Sequence, residues 1–249
     1  MPTHPDRATF GSVGLPDVAQ SVRLLLILDS RSPAGAHNHS GGMEAAVTAG
    51  FVDDIQDVRA YCRGRLRTSG RVAAGFAAAA CLAWLDGAPA TRWQELDAEL
   101  SARMPSEAVR AASRTTGSGL RRLLRATVPD DLATLGERPH HALVLGAACA
   151  LTGGSPHIAA RAAALATCTA PASAAIRLLG LDPYAVHGVI AGLAPEIEAI
   201  ADSCHTSGDG PRAGGMTSLN GDGLPADSAP ALDLLADVHA TQEVRLFAS

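Results

Sequence analysis

Apolar residues recur at helical spacing along most of this chain, and no stretch sustains the two-residue alternation of a half-buried strand. Val18, Val22, Leu25 and Leu26 stand at i, i+4, i+7 and i+8, which predicts an amphipathic helix near 17–30 with that face buried. Pro16–Asp17 supplies a start signal, and Ser32 before Pro33 is pushed out of the helical region. Further helices are expected near 42–50 and 54–68, with Ser69–Gly70 as punctuation. Val72–Leu85 is apolar all round and reads as a central buried helix. Trp93, Leu96, Leu100 and Met104 mark one amphipathic helix; Val109, Ala112, Thr116, Leu120, Leu123 and Leu124 mark the next. His141–Leu151 is a short apolar helix stopped by Gly153–Gly154. Pro156–Leu179 and Pro183–Cys204 complete the set, the second bent at Pro195.

The fold expected is all-α: a single-domain helical bundle of roughly eight to ten helices. Residues 1–15 read as a flexible arm and 16–205 as the helical core domain. Residues 206–230, dominated by Gly, Pro, Ser and Asp, read as a flexible linker. Residues 231–249 resume helical spacing at Ala231, Leu234, Leu235 and Val238, a C-terminal docking helix and partner-binding tail. Such a helix docks on its own core or on another protein; the pattern leaves both open.

Composition sharpens this picture. Hydrophobic residues make up 47% of the 249, yet aromatics only 3%, so Ala and Leu must build the core, which suits closely packed helices. Every basic residue is Arg, and the net charge of −5 argues against general nucleic-acid binding. From Arg59 to Arg125 there are 12 Arg against 5 acids; from Asp182 to Ser249, 10 acids against 2 Arg. That asymmetry reads either as solvated faces or as two ends that meet different partners. Cys62, Cys81, Cys149, Cys168 and Cys204 are scattered, with no disulfide framework or zinc spacing. No signal sequence or sufficiently long apolar span is recognisable, so a cytoplasmic protein with no membrane partner is expected.

The densest chemistry lies between the first two helices. After Asp29–Ser30 a Pro/Gly-punctuated loop presents His37 and His39, and Ser40–Gly41–Gly42 opens the helix that carries Glu44. Ser40 or Gly41 is placed to cap it. This segment resembles the opening of the UreF family of urease accessory proteins, with Asp29, Ser30, Pro33, Gly35, His39, Ser40, Gly41, Gly42 and Glu44 on the pattern. Arg110-x-x-Ser113-x-x-x-Gly117-x-x-Leu120 fits the family's mid-chain helix. Arg177-Leu178-Leu179-Gly180-Leu181 falls where the family usually has Arg-Leu-x-Pro-Leu-Gly-Gln. His239 and Arg245-Leu246-Phe247-x-Ser249 fit its closing motif. Ser32, His37 and Ala248 depart from the aromatic and basic residues usual there, and Gly180-Leu181-Asp182-Pro183 from the Pro-Leu-Gly-Gln element.

The resemblance implies a non-catalytic, all-helical homodimer that assembles with the accessory protein UreD (also UreH) and the GTPase UreG to deliver nickel to apo-urease. It has no cofactor of its own. It implies partner contacts at His37, His39, Ser40, Glu44, Arg110, Arg177, Leu235, His239, Arg245, Leu246, Phe247 and Ser249. Imidazole suits nickel, which leaves His39 and His239 as weak candidates for transient metal binding. Two other readings compete. A metal-dependent enzyme would use His37 and His39, although no further ligand stands at a recognisable spacing. A helical DNA-binding regulator would use Arg59, Arg63, Arg67, Arg121, Arg122 and Arg125. There is no nucleophile elbow, and a chain without lysine has no Walker A lysine.

Overall fold

Alanine-rich helices that bury nearly their whole circumference organise the molecule. The computed structural model describes residues 18–29, 39–127, 132–206 and 223–241. Among the described residues the elements are α1 (Val18–Leu28), α2 (Met43–Thr48), α3 (Ile55–Arg65), α4 (Arg71–Leu85), α5 (Ala90–Ala102) and α6 (Glu107–Thr127). There follow α7 (His141–Leu151), α8 (Pro156–Leu179), α9 (Pro183–Gly192), α10 (Ala194–Thr206) and α11 (Pro230–Ala240), and no strand. The all-α expectation holds. Because α3 runs into α4 and only Leu193 separates α9 from α10, the eleven segments form nine rods.

α4 lies between two apolar clusters. Phe76, Ala77 and Ala80 belong to the one that contains Trp93, Leu100, Leu124 and Leu143. Ala74 and Ala78 belong to the other, with Met43, Val58, Leu66 and Leu193. α7 buries every residue from Ala142 to Ala150. Alanine has the highest helix propensity and lets backbones approach closely, so a core with few aromatics can still be dense. Gly146 shows how close: a Cβ there would stand 2.2 Å from the Ala77 carbonyl oxygen on α4. Cys62, Cys81, Cys149 and Cys168 are free and buried, and burial pushes the first three thiols up to about 12. They pack as small hydrophobes.

Ser69–Gly70 does not interrupt the helix as the sequence suggests. The chain passes through one π-helical turn, Leu66–Gly70, making a single 31-residue rod, Ile55–Leu85. Hydroxyls stabilise the widened turn. Thr68 Oγ1 donates to Gly64 O at 2.9 Å and Ser69 Oγ to Arg65 O at 3.3 Å, taking up carbonyls that the ordinary ladder would use. By length and hydropathy this rod and α8 both resemble membrane spans, but the rod's apolar residues are core residues of the bundle.

Three expectations change. α1 does not bury Val22, Leu25 and Leu26, which are all more than half exposed; Ile27 is buried instead, with Leu24 packed against the core. The helix forms as its spacing predicts, but α1 packs against α6 and α7 through the opposite face. The charge asymmetry is in part paired within the molecule. Arg63 and Arg67 both bind Glu196, Arg71 binds Asp227, and Arg161 binds Glu198. Lastly, the polar 206–230 segment has structure at both ends. Thr206 closes α10, while Leu224 is buried and Pro225 sits against Gly75, where a Cβ would come within 2.6 Å of its ring.

Candidate functional site

The loop ahead of α2 is built on two consecutive glycines. Gly41 and Gly42 have φ of 58° and 81°, a conformation L side chains rarely adopt. Space forbids a side chain as well: a Cβ on Gly42 would lie 2.7 Å from Tyr61 Oη, and one on Gly41 3.2 Å from Pro171 Cδ. Tyr61 Oη donates to Gly41 O at 2.9 Å and so pins the loop to α3. Pro171 interrupts the ladder inside α8, where it cannot donate to Thr167 O. Arg65 Nε donates to that carbonyl instead, over 3.5 Å.

Gly42 is the N-cap of α2 and makes no side-chain cap bond, which corrects the expectation that Ser40 or Gly41 caps it. Ser40 is fully buried, and its Oγ has no hydrogen-bond partner. Two turns of chemistry then meet across 195 positions of sequence. Glu44, in the first turn of α2, lies against His239 of α11 with Oε2 and Nε2 3.3 Å apart; they are 7% and 1% exposed. Both were expected to face a partner. They face each other. α11 therefore docks on its own core, with Ala236 and His239 buried and Leu235 half-buried, while Leu234 and Val238 are 68% and 59% exposed.

The mid-chain motif is a single helix face. Arg110, Ser113, Gly117 and Leu120 follow at spacings of three, four and three, so they line up on α6. Arg110 Nη1 donates to Met104 O at 2.5 Å and Pro105 O at 2.7 Å, closing the α5–α6 turn. Gly117 lets the chain before α7 cross, since a Cβ would stand 2.2 Å from Pro139 O. Ser113 Oγ lies 3.0 Å from His140 Nδ1, and His140 Nε2 lies 2.9 Å from Ser101 Oγ. Arg114 binds both oxygens of Asp97, at 3.1 and 2.7 Å, and donates to Ser101 Oγ at 3.0 Å. His140 thus joins α5, α6 and α7 through two hydroxyls. Periodicity alone could not reveal it, although its place at the start of α7 was legible.

Burial first, and then the positive charge of Arg114, pushes the His140 imidazole down to about 4. An unfolded histidine titrates near 6.5. The folded state therefore binds its proton less readily, so the contribution to stability is complete above pH 6.5 and is lost as pH falls toward 4. We expect unfolding free energy to drop between pH 7 and pH 4.5 by up to about 3 kcal/mol from this group. Urea melts of His140→Gln, which should show a shallower acid loss than the parent, check it. An equal slope in both would remove His140 from the account.

A cavity of about 250 Å³ lies behind the tail helix. Its walls include His39 and Gly42 of the opening loop, Arg65 and Ser69 of the π-turn, His141 of α7, and Leu232 and Asp233 of α11. His141 is pushed down to about 4 by burial and by the charge of neighbouring His39. His39 is half-buried here, so its surroundings are largely the protein's own. Arg177 is exposed in the last turn of α8, where a cation suits the helix dipole. His37, Arg245, Leu246, Phe247 and Ser249 lie outside the described residues, as does the 1–15 arm. Among the described residues, the three-carboxylate group Asp53, Asp54 and Asp57 is the one metal-capable cluster. Asp54 is occupied there in capping α3.

A sequence model of the UreF family matches residues 52–194, more than half of the chain. The chain belongs to the UreF family. Full-length similarity agrees. The urease accessory protein UreF of Mycolicibacterium vanbaalenii is 42% identical over 227 residues, covering 91% of this chain and 97% of that protein. The UreF protein of Mycobacterium marinum is 41% identical over 229 residues, and that of Mycobacterium tuberculosis 39% over 227, each with the same coverage. Within this UreF-type chain α11, which carries His239, packs against α2, which carries Glu44, and against α6. What sequence reasoning missed is Asp237. Its Oδ1 accepts from Ser106 Oγ at 2.6 Å and Ala108 N at 3.2 Å, joining α11 to the start of α6. An acid between Leu234 and Val238 carried no signal of its target.

Proposed function

We propose that this chain is a non-catalytic scaffold for urease maturation, which assembles as a homodimer with UreD and UreG and supports nickel delivery to apo-urease in the cytoplasm. Family membership supplies the urease context. The observation that carries the scaffold reading is the pair of apolar faces left to solvent: Val22, Leu25 and Leu26 on α1, and Leu234 and Val238 on α11. Exposed leucines clustered on two helices are what a protein carries when other chains cover it. Nickel is cargo in this reading. Co-expression of a urease gene set with and without this chain tests it, read as urease activity and nickel content of purified urease. Activity and nickel should be lost without the chain and restored by it. Full activation in its absence would refute the proposal.

A further inference from the structure

α11 is an 11-residue helix whose N-cap, Ala229, makes no side-chain cap bond. Helices this short are marginal in isolation, so contacts with the core must hold it. Its apolar docking is slight, since only Ala236 and His239 are deeply buried. A smooth alanine contact sets a helix down but does not fix its rotation about its own axis. Directional contacts do, and α11 has hydrogen bonds at one point and a close polar approach at another. At one, Asp237 Oδ1 accepts from Ser106 Oγ and from Ala108 N, while Ser106 Oγ accepts from Val109 N at 3.1 Å. Ser106 caps α6 from within, and Asp237 adds a second acceptor from another helix. The carboxylate also meets the positive end of α6, and its pKa is held below the usual aspartate range by the Ser106 and Ala108 bonds. At the other point, one position beyond Val238, His239 meets Glu44.

We propose that Asp237 is a positioning residue: by capping α6 from the tail helix, together with the Glu44–His239 contact, it fixes the roll of α11 so that Leu234 and Val238 face outward as one ridge. This rests on the reading above that the tail is a partner-facing element. Leu234 and Val238 are four apart and share a face, whereas Ala236 and His239 are three apart and share the opposite one. A rotation of one residue, about 100°, would turn the ridge into the flank of α6. The same helix lines the cavity, because Leu232, Asp233 and Ala236 form one of its walls.

Amide exchange on the full chain tests the latch. Asp237→Ala removes the acceptor, whereas Asp237→Asn keeps an oxygen that can accept both bonds. Exchange across Leu232–Ala240 should quicken roughly five- to tenfold in the alanine variant and stay near wild type in the asparagine variant. Ser106→Ala combined with Asp237→Ala should be less than additive, because the two share one bond. Capture of a co-expressed UreD-type protein should fall with Asp237→Ala and recover with Asp237→Asn. Equal behaviour of the two Asp237 variants, or unchanged exchange in α11, would overturn the proposal. So would wild-type capture by Asp237→Ala when deletion of 230–249 abolishes capture. If that deletion leaves capture intact, the tail reading fails instead, and the exchange rates still decide whether Asp237 is a latch.

Discussion

Replacing Leu234 and Val238 together by Asp is expected to abolish capture of a UreD-type partner while leaving the helical core intact. Both side chains project from α11 into solvent, so charging them costs the isolated fold little, within about 0.5 kcal/mol for each surface change. At an interface the same carboxylates would have to be buried without counter-charges. If the ridge sits at the centre of the interface, loss of about 2 kcal/mol, the scale of a hot spot, weakens binding roughly thirtyfold. Leu235→Asp makes the internal control. That leucine packs half-buried against the Met43–Val58 cluster, and its variant should lower the melting temperature as well. Pull-down of the co-expressed partner and circular dichroism melts are sufficient to read the result. Capture at full strength by the double variant would show that the ridge meets no partner. A collapsed melt would show that α11 belongs to the core more firmly than its burial indicates.

Gly146→Val carries the largest expected effect on folding. Gly146 lies in mid-α7, where it faces α4, and the first atom of any side chain would land 2.2 Å from Ala77 O, 2.7 Å from Ala80 Cβ and 2.9 Å from Cys81 N. None of these can swing aside, since two are backbone atoms and the third is the Cβ of a short side chain. The two helices must separate. That opens the contact between α4 and α7 and loosens Phe76, Leu143 and their neighbours. Overpacking costs about 1–3 kcal/mol where a core can yield, and a backbone clash between rigid helices belongs at or beyond the upper end. Set against a total stability of roughly 5–15 kcal/mol, this should leave little soluble folded protein at 37 °C. Gly188→Val provides the contrast, because nothing lies within 4 Å of a Cβ there. Its cost should be no more than that of a β-branched residue in an exposed helix. Equal solubility and equal urea midpoints for the two variants would contradict the close approach of α4 and α7.

How far the candidate site was legible depends on the kind of contact each residue makes. The loop before α2 was legible as the densest chemistry of the chain, but that Gly41 and Gly42 both take positive φ came from the structure. The Arg110, Ser113, Gly117 and Leu120 motif was legible as part of a mid-chain helix. It did not announce that the helix would meet Pro139 and His140, since a spacing names no partner. Glu44 and His239 stood out by resemblance as partner contacts, yet the fold brings them together. Asp237 carried no sequence signal.

Most helix positions, the burial of most of Val72–Ala83 and the alanine-built core were determined by the sequence alone. They follow from propensity and periodicity, which act within a few residues along the chain. The tertiary structure decided which face of α1 and α11 turns inward, where the Arg-rich helices find their carboxylates, and that Ser69–Gly70 continues the helix instead of ending it. These outcomes depend on neighbours distant in sequence. An apolar stripe tells that something will cover it, but the same stripe serves the chain's own core or another protein. Here α1 packs on α6 and α7 with Ile27 buried, and α11 packs on α2 and α6 with Ala236 and His239 buried, which leaves Leu25 and Leu234 on the outer faces.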